Sequence, residues 1–530
     1  MIDYKVPQMT RMTKIMLVMV VALQCVGIFD HSLWTPDEPR VAEIAREMSI
    51  ASDYLIPHLS RQPFLEQPPL YYATAALGFK LWGTGNEGYG RMASVLYSIL
   101  TLLVVFVGVR RLYSETTAGL AAAILASSFL FFLVSHKMLV DNSLVFFITL
   151  ALFGFLLEFT DQWRHGYKLF WLAMPLAFLT KGIIGVAIPA VAVTAFILWQ
   201  KDLTLIRRIW AIPGILLLLG VVGIWTAILY HAGGPDFLWT FYGYNQLGRF
   251  FNGGMYTGGH VRPIYYYLTN FWVQGAPWSL LIIPFFIKMR PLDNTKRFLI
   301  AWLLGGLILL SLSSTKRGLY LLPLMPAMAV MVAAWMSEQS RRIPEQWERA
   351  VLYLLGGLFT LCTLAMPFGY VHFIDGPWTL AVAVMSACLL AAWFTHYTYK
   401  PNPAWLLAAY WCLFLLLWTP AIFPRIDDHK GYKDLFVQMG KTVADQGVAG
   451  YQLTETAESL APFYGGFFVE NISDKRMFKQ VLKDGDFAYV VVLPSRMPAG
   501  LRSVLKARAV LLIKDDARMR KDIELWKVER

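Results

Sequence analysis

Apolar and polar residues fall in long blocks along this 530-residue chain, not in a short alternation. A helix needs ~20 apolar residues to cross a hydrocarbon core of ~30 Å. Runs near that length recur at 15–30, 92–109, 118–135, 143–159, 168–180, 182–199, 209–230, 277–288, 298–314, 319–337, 350–372, 377–396 and 404–423. They predict about thirteen membrane-spanning helices, with 168–180 and 277–288 short for the task. Three segments break the pattern: 31–91, 231–276 (rich in Gly, Tyr, Trp and Phe) and the tail from 424 to 530. In the tail, 432–447 reads as an amphipathic helix. Residues 487–493 read as a buried strand, and 507–513 and 523–528 as further strands. The expected architecture is a polytopic α-helical membrane domain over 1–423, with outer loops 31–91 and 231–276, and a small α/β domain over 424–530. No internal repeat is visible, either at a solenoid period or of one half in the other.

Charge then orients the bundle. One set of short loops carries Lys5, Arg11, Lys14, Arg110, Arg111, Arg164, Lys168, Lys201, Arg207 and Arg208, then Lys288, Arg290, Lys296, Arg297, Arg341, Arg342 and Arg349. Lys and Arg concentrate on the cytoplasmic side, so this set is read as cytoplasmic. The N-terminus is then inside, and an odd number of spans places the C-terminal domain outside. Residues 1–14 are not expected to belong to a cleaved signal, because no small-residue cleavage site follows the first apolar run and further spans do.

Composition agrees. Apolar residues make up 57% of the chain and charged ones 15%, against ~45–50% and ~25% in soluble domains. This excludes a disordered chain, a collagen-like chain and a disulfide-framework miniprotein. The net charge of +12 is spread over cytoplasmic loops as topology requires, so no nucleic-acid partner is expected. Cys25, Cys362, Cys388 and Cys412 sit in apolar runs without a CxxC pair and read as buried hydrophobes.

Scarce charge makes its placement informative, because ionisable groups near a bilayer interior are costly. Past the first span stands Trp34-Thr35-Pro36-Asp37-Glu38-Pro39-Arg40, with helical character from Val41 to Met48. Asp37 would sit at a helix N-terminus, where partial positive charge keeps a carboxylate ionised; an interfacial helix cap would give the same pattern. Glu66 in Phe64-Leu65-Glu66-Gln67-Pro68-Pro69 is presented from an extended turn, since proline disfavours helix just before it; an ordinary loop carboxylate fits as well. Asp141 interrupts an apolar run on the same side, as an interfacial anchor or as a functional acid. Lys181, Lys316 and Arg317 lie where positive charge is disfavoured by topology, and phosphate is the obvious reason for them. The second outer loop adds Arg249, His260 and Arg262 among many tyrosines. Glu66 with His260 could form half of a metal site.

These segments together resemble polyprenyl-phosphate-sugar glycosyltransferases of the GT-C superfamily, in the protein mannosyltransferase-like branch that includes the lipid A aminoarabinose transferases. Asp37-Glu38-Pro39-Arg40 with Ala42-Glu43-Ile44-Ala45-Arg46-Glu47-Met48 resembles the family's D-E-x-R-x-A-E-I-x-R-E-M. Phe64–Leu70 resembles F-x-E-K-P-P-L. Thr180-Lys181-Gly182 and Lys316-Arg317-x-x-Tyr320-x-Leu322-Pro323 follow in order. The resemblance covers essentially the whole chain. It implies catalytic or acceptor-orienting roles for Asp37 and Asp141. It implies lipid-phosphate contacts for Arg40, Lys181, Lys316, Arg317 and Tyr320, and a divalent-metal pair (zinc, magnesium or manganese) at Glu66 and His260. No nucleotide is expected. Gln67 stands where the aminoarabinose enzymes carry Lys, which removes one positive charge near the phosphate; Val41 and Pro39 stand where Tyr and Ala are common.

The implied function is transfer of a sugar from undecaprenyl phosphate to lipid A or lipopolysaccharide. It would take place at the periplasmic face of a bacterial inner membrane, in one inverting displacement by a monomer among membrane lipids. The leaving phosphate needs cationic stabilisation and no proton, whereas a hydroxyl acceptor would need a base. A different envelope polysaccharide, lipid or protein acceptor is the alternative within this class. A lipid-linked-sugar flippase, or a membrane-anchored binding protein working through its C-terminal domain, is the alternative outside it. A flippase should carry charged or broken spans near the midplane, whereas the motifs here lie in loops and at helix ends.

Overall fold

The computed structural model describes residues 9–251, 260–339, 345–399, 402–444, 446–515 and 522–529. Lys5, Arg341 and Arg342, read above as orienting charges, lie outside the described residues. Each stretch expected to span is helical. Among the described residues nine helices are long and apolar enough to cross a membrane. Two bent pairs raise the number to eleven: Glu115–Ala126 with Phe129–Ser135, bent by 69°, and Tyr266–Gln274 with Ser279–Lys288, bent by 110°. Arg11–Cys25 and Gly166–Lys181 are helices of 15 and 16 residues.

The bends have local causes. Ser127 and Ser128 donate their hydroxyls back to the carbonyls of Ala123 and Ile124, both at 2.6 Å, which competes with the helix ladder. Pro277 lies in the second break and has no N–H to continue a helix. The stretch expected as a loop from 231 is instead helical to Phe251. Ala211–Leu238 kinks at Gly233 and Gly234 and runs on through a π-helix, Trp239–Gly248. The Gly-Gly-Pro break is bridged because Phe241 is fully buried against Trp225 and Phe178.

Two helix pairs set the site. Asp141–Phe159 and Gly166–Lys181 run antiparallel and touch backbone to backbone. A Cβ on Gly154 would lie 2.7 Å from the carbonyl of Gly166, and one on Gly166 2.1 Å from that of Gly154. This contact brings the start of one helix beside the end of the other. The Glu38–Ala51 helix, with Asp37 at its N-cap position but making no side-chain cap and with Pro39 in its first turn, packs on Leu70–Trp82. Between them the strands β1 (His58–Leu59) and β2 (Gln62–Pro63) form a short antiparallel hairpin.

The last long helix, Pro403–Lys430, is followed by the helix Lys433–Val443 and by five strands. These are β3 (Val448–Tyr451), β4 (Glu470–Ile472), β5 (Tyr489–Val492), β6 (Ala509–Lys514) and β7 (Glu524–Val528). They form one sheet in the order β4-β3-β5-β7-β6, parallel across the first three and antiparallel thereafter. The amphipathic helix and β5, β6 and β7 match the sequence reading. The short β3 and β4, of four and three residues, lack a readable pattern.

Candidate active site

The loop that carries Asp37 is built from a buried ion pair. Arg91, fully buried, donates to Glu38 at 2.8 Å and to the carbonyls of Ile28, His31 and Ser32 at 2.9, 2.7 and 2.7 Å. Glu38 also accepts from the backbone N–H groups of Trp34, at 2.8 Å, and Met138, at 3.0 Å. A buried pair is tolerable only when its remaining hydrogen-bonding capacity is met, and here it is. The arrangement ties the Asp37 loop to the turn before Asp141. From the other side the C-terminal region grips the same loop. Asp427 accepts from Ser32 N, Ser32 Oγ and Trp34 Nε1, and Tyr464 accepts from Leu33 N.

On this scaffold charges alternate. Arg317 forms a two-pronged pair with Asp37, at 2.9 Å through Nη1 and by a second contact through Nη2. Arg40 lies 3.6 Å from Asp37, 3.4 Å from Glu66 and 2.5 Å from Glu455 of the C-terminal domain. Arg249 meets the other Glu66 oxygen at 2.6 Å. Lys181, at the end of its helix, lies 2.6 Å from Asp141, which is 2% exposed, and 4.7 Å from the ring centre of Tyr320. Burial alone would raise the Asp37 carboxyl. The hydrogen bond and charge of Arg317, helped by Arg40 and Lys181, outweigh that and hold it below the ordinary carboxylate range. Burial opposes ionisation of Glu66 too, and Arg40 and Arg249 overcome it.

The structure thus brings together Asp37, Arg40, Glu66, Asp141, Lys181, Arg317 and Tyr320. Lys316 is turned elsewhere. Its ammonium donates to the carbonyls of Arg262, at 3.1 Å, and Ser313. The backbone at Arg317 is extended, and successive side chains of an extended chain point to opposite faces. Arg317 therefore reaches Asp37 while its neighbour staples the loop that holds Val261 against Thr315. His260 is exposed, and burial with the nearby Arg317 lowers its imidazole below the ordinary range. Among the described residues no group of three or more metal-type side chains is spaced to hold an ion. Both Glu66 oxygens face guanidinium groups, an arrangement that does not fit a cation.

A cavity of about 310 Å³ opens beside this cluster. Its lining combines the polar Glu66, Gln67, Asp141, Lys181, Arg249 and Tyr320 with the apolar Ile183, Ile184, Ala187, Ile188, Leu309 and Leu310. Gln67 accepts from the buried Tyr72 hydroxyl at 3.0 Å. Glu455 joins the site without a sequence signal, 415 positions from Arg40. Arg249 carries the signal of a cation on the side disfavoured by topology.

The family described as dolichyl-phosphate-mannose-protein mannosyltransferase matches residues 66–226. An undecaprenyl phosphate-alpha-4-amino-4-deoxy-L-arabinose arabinosyl transferase of Pseudomonas fluorescens is 28% identical over 422 residues, 77% of this chain and 75% of the relative. One from Pseudomonas paraeruginosa is 29% identical over 426 residues, 78% and 76%. The crystal structure of ArnT from Cupriavidus metallidurans bound to undecaprenyl phosphate superposes with a TM-score of 0.81 at 19% identity, over 97% of each chain. The chain has the GT-C glycosyltransferase fold. The same fold is recognisable at greater distance in an oligosaccharyltransferase of Archaeoglobus fulgidus, with a TM-score of 0.51 and 14% identity over 91% of this chain and 69% of that one. Within the GT-C fold, the resemblance read from the four sequence motifs is borne out by both sequence relatives and architecture.

Proposed function

We propose that the protein transfers a sugar from an undecaprenyl-phosphate carrier to a lipid A or lipopolysaccharide acceptor, with inversion at the anomeric carbon. The observation that carries this reading is the mixed lining of the cavity. Its apolar residues suit a prenyl chain, and Lys181 and Arg249 are available to a phosphate. Lys181, Arg249 and Arg317, with Tyr320, stabilise the phosphate as it leaves, by preorganised charge. Asp37 is a weak base, because Arg317 keeps it well ionised. This favours an acceptor that is already anionic, with Asp37 orienting the sugar and Asp141 holding Lys181. The relatives are named for an amino sugar, and the site supports one here. Asp37, Glu66, Asp141 and Glu455 balance Arg40, Lys181, Arg249 and Arg317, so a donor carrying both phosphate and ammonium adds no net charge. Arg249 offsets the charge that Gln67 leaves out. No step is assigned to a metal at Glu66 and His260.

In this reading the chain crosses the inner membrane thirteen times as a monomer. Its N-terminus is cytoplasmic, and the site and the C-terminal sheet are periplasmic, a reading supported by the alternation of basic short loops with loops poor in Lys and Arg. The test supplies purified protein with undecaprenyl-phosphate aminoarabinose and lipid A, and follows release of undecaprenyl phosphate and the mass of the product. Wild type should transfer and Asp37→Asn should lose roughly 100-fold or more, the scale of one lost electrostatic contact in a site. Carrier moved across a vesicle bilayer without sugar transfer would refute the enzyme.

A further inference from the structure

A second pair of cations lies outside the lining of the cavity just described, about Trp34 in the loop that leads to Asp37. Lys137 and Lys430 place their ammonium groups 5.3 and 6.0 Å from the ring centre of Trp34, within the range of attraction between a cation and an aromatic face. Among the described residues neither has a carboxylate partner, whereas Arg40, Lys181, Arg249 and Arg317 all do. Two neighbouring cations without a counter-ion repel one another, and a partly buried ammonium is costly to leave unpaired. The surroundings do not neutralise them. Glu38 is committed to Arg91 and two backbone N–H groups, and Asp37 to Arg317. Asp427 accepts from Ser32 and from Trp34 Nε1. Burial lowers the Lys137 ammonium, and Lys430 and Arg91 add to that against the pull of Glu38 and Asp37.

The site is built firmly. The carbonyl of Lys137 accepts from Ser94 at 2.6 Å and Asn142 at 3.3 Å. Trp34, 4% exposed, is wedged against His31 and Phe423 with ring centres 4.3 and 5.1 Å apart, and Asp427 fixes its indole N–H at 3.0 Å.

We infer that Lys137 and Lys430, set about the ring of Trp34, receive the phosphate of the acceptor lipid. The inference rests on the proposed transfer to a phosphorylated lipid and adds where that phosphate sits. An inverting displacement needs the attacking oxygen and the leaving phosphate on opposite sides of the anomeric carbon. Lys181 lines the cavity beside Asp141, whereas Lys137 and Lys430 flank Trp34 outside that lining, so the inference assigns the leaving phosphate to the first group of cations and the attacking phosphate to the second. A phosphate oxygen of the acceptor forms the new bond to the anomeric carbon as the bond from that carbon to the carrier phosphate breaks. The acceptor monoester becomes a diester, the carrier diester becomes a monoester, total charge is conserved and no proton moves.

The test uses full-length protein in nanodiscs. It measures dissociation constants for bis-phosphorylated lipid A, for lipid A with both phosphates removed and for inorganic phosphate, with wild type, Lys137→Gln, Lys430→Gln and Lys137→Arg. Each glutamine variant should weaken the phosphorylated lipid about tenfold, as expected for one lost charge-assisted hydrogen bond. The dephosphorylated lipid should bind all variants alike, and Lys137→Arg should restore affinity. In transfer assays the acceptor KM should rise while the donor KM stays put. Equal affinity of wild type and both glutamine variants for phosphorylated lipid A overturns the inference. So does tight binding of inorganic phosphate that the lipid fails to displace, which would mark a free-phosphate site. A wild type that binds lipid A and transfers nothing counts instead against the proposed transfer.

Discussion

Replacing Arg91 with methionine should disable this protein more thoroughly than most changes within the charge cluster itself. Arg91 is 0% exposed and makes four hydrogen bonds. Without it, Glu38 becomes a buried carboxylate held by two backbone N–H groups, and three carbonyls lose a donor. Breaking one side of a buried pair costs about 3–5 kcal/mol. Each stranded carbonyl adds about 1 kcal/mol. The expected loss of about 6–8 kcal/mol is a large part of the ~5–15 kcal/mol that holds a typical protein together. The assay is detergent-driven unfolding in mixed micelles, followed by the fluorescence of the nineteen tryptophans. Glu38→Gln should also destabilise, because it leaves Arg91 charged and unpaired. The double variant Glu38→Gln, Arg91→Met should be about 2 kcal/mol more stable than the sum of its parts predicts, since it removes both stranded charges. A loss below about 1 kcal/mol in Arg91→Met, or additive effects in the double variant, would refute the reading of this pair as the keystone of the Asp37 loop.

Further outcomes follow from the same contacts. Burial raises the Asp37 carboxyl and Arg317 pulls it down, so Arg317→Gln should shift the acid limb of kcat/KM to higher pH, whereas wild type should show no Asp37-dependent fall between about pH 7 and pH 5; a pH–rate profile checks both. Arg249→Ala should raise the donor KM about tenfold, read from initial rates across donor concentrations. Glu455→Gln should let Arg40 settle onto Asp37 and Glu66, lowering kcat with little change in donor KM, and Glu455→Asp should restore part of the rate.

Much of the site was legible because charge is scarce in this chain. Asp37, Arg40, Lys181 and Arg317 stood out as ionic groups at helix ends on the side that topology keeps free of cations. What single positions could not convey was direction. Lys316 and Arg317 are adjacent and equally anomalous, yet extended backbone sends one to loop carbonyls and the other to Asp37. Glu66 read as half of a metal site, and only folding shows a guanidinium against each of its oxygens. Glu455 was invisible, because an acidic residue opening a short helix (Glu455–Leu460) is an ordinary feature of a soluble domain. In the fold, the helices were legible from length and apolarity. The continuation past Gly233 and Gly234 was not, since glycine and proline mark a break in the local chain and only distant aromatic packing carries the helix across it.

The two cationic groups differ in a way that bears on how the enzyme can hold both substrates. In the cavity, every cation named already has a carboxylate, so the site's own charges nearly cancel. In the proposed transfer a donor phosphate exchanges with Asp141 or Glu66 for its contacts, which leaves those acids free to meet a positive group on the sugar. Beside Trp34 no such exchange is available. Among the described residues Lys137 and Lys430 have no carboxylate to give up, so in the inferred site an arriving phosphate gains their charge without displacing a partner. The exchanging site suits a ligand that brings both signs of charge, and the unpaired site suits one that brings only negative charge. In the proposed transfer Asp37, fixed by Arg317, keeps one negative charge where positive charge develops on the sugar as the carrier departs. That single fixed carboxylate is useful only if the loop holding it does not yield when either phosphate binds. The double grip on residues 28–38, by Arg91 from within the bundle and by Asp427 and Tyr464 from the C-terminal region, meets that requirement.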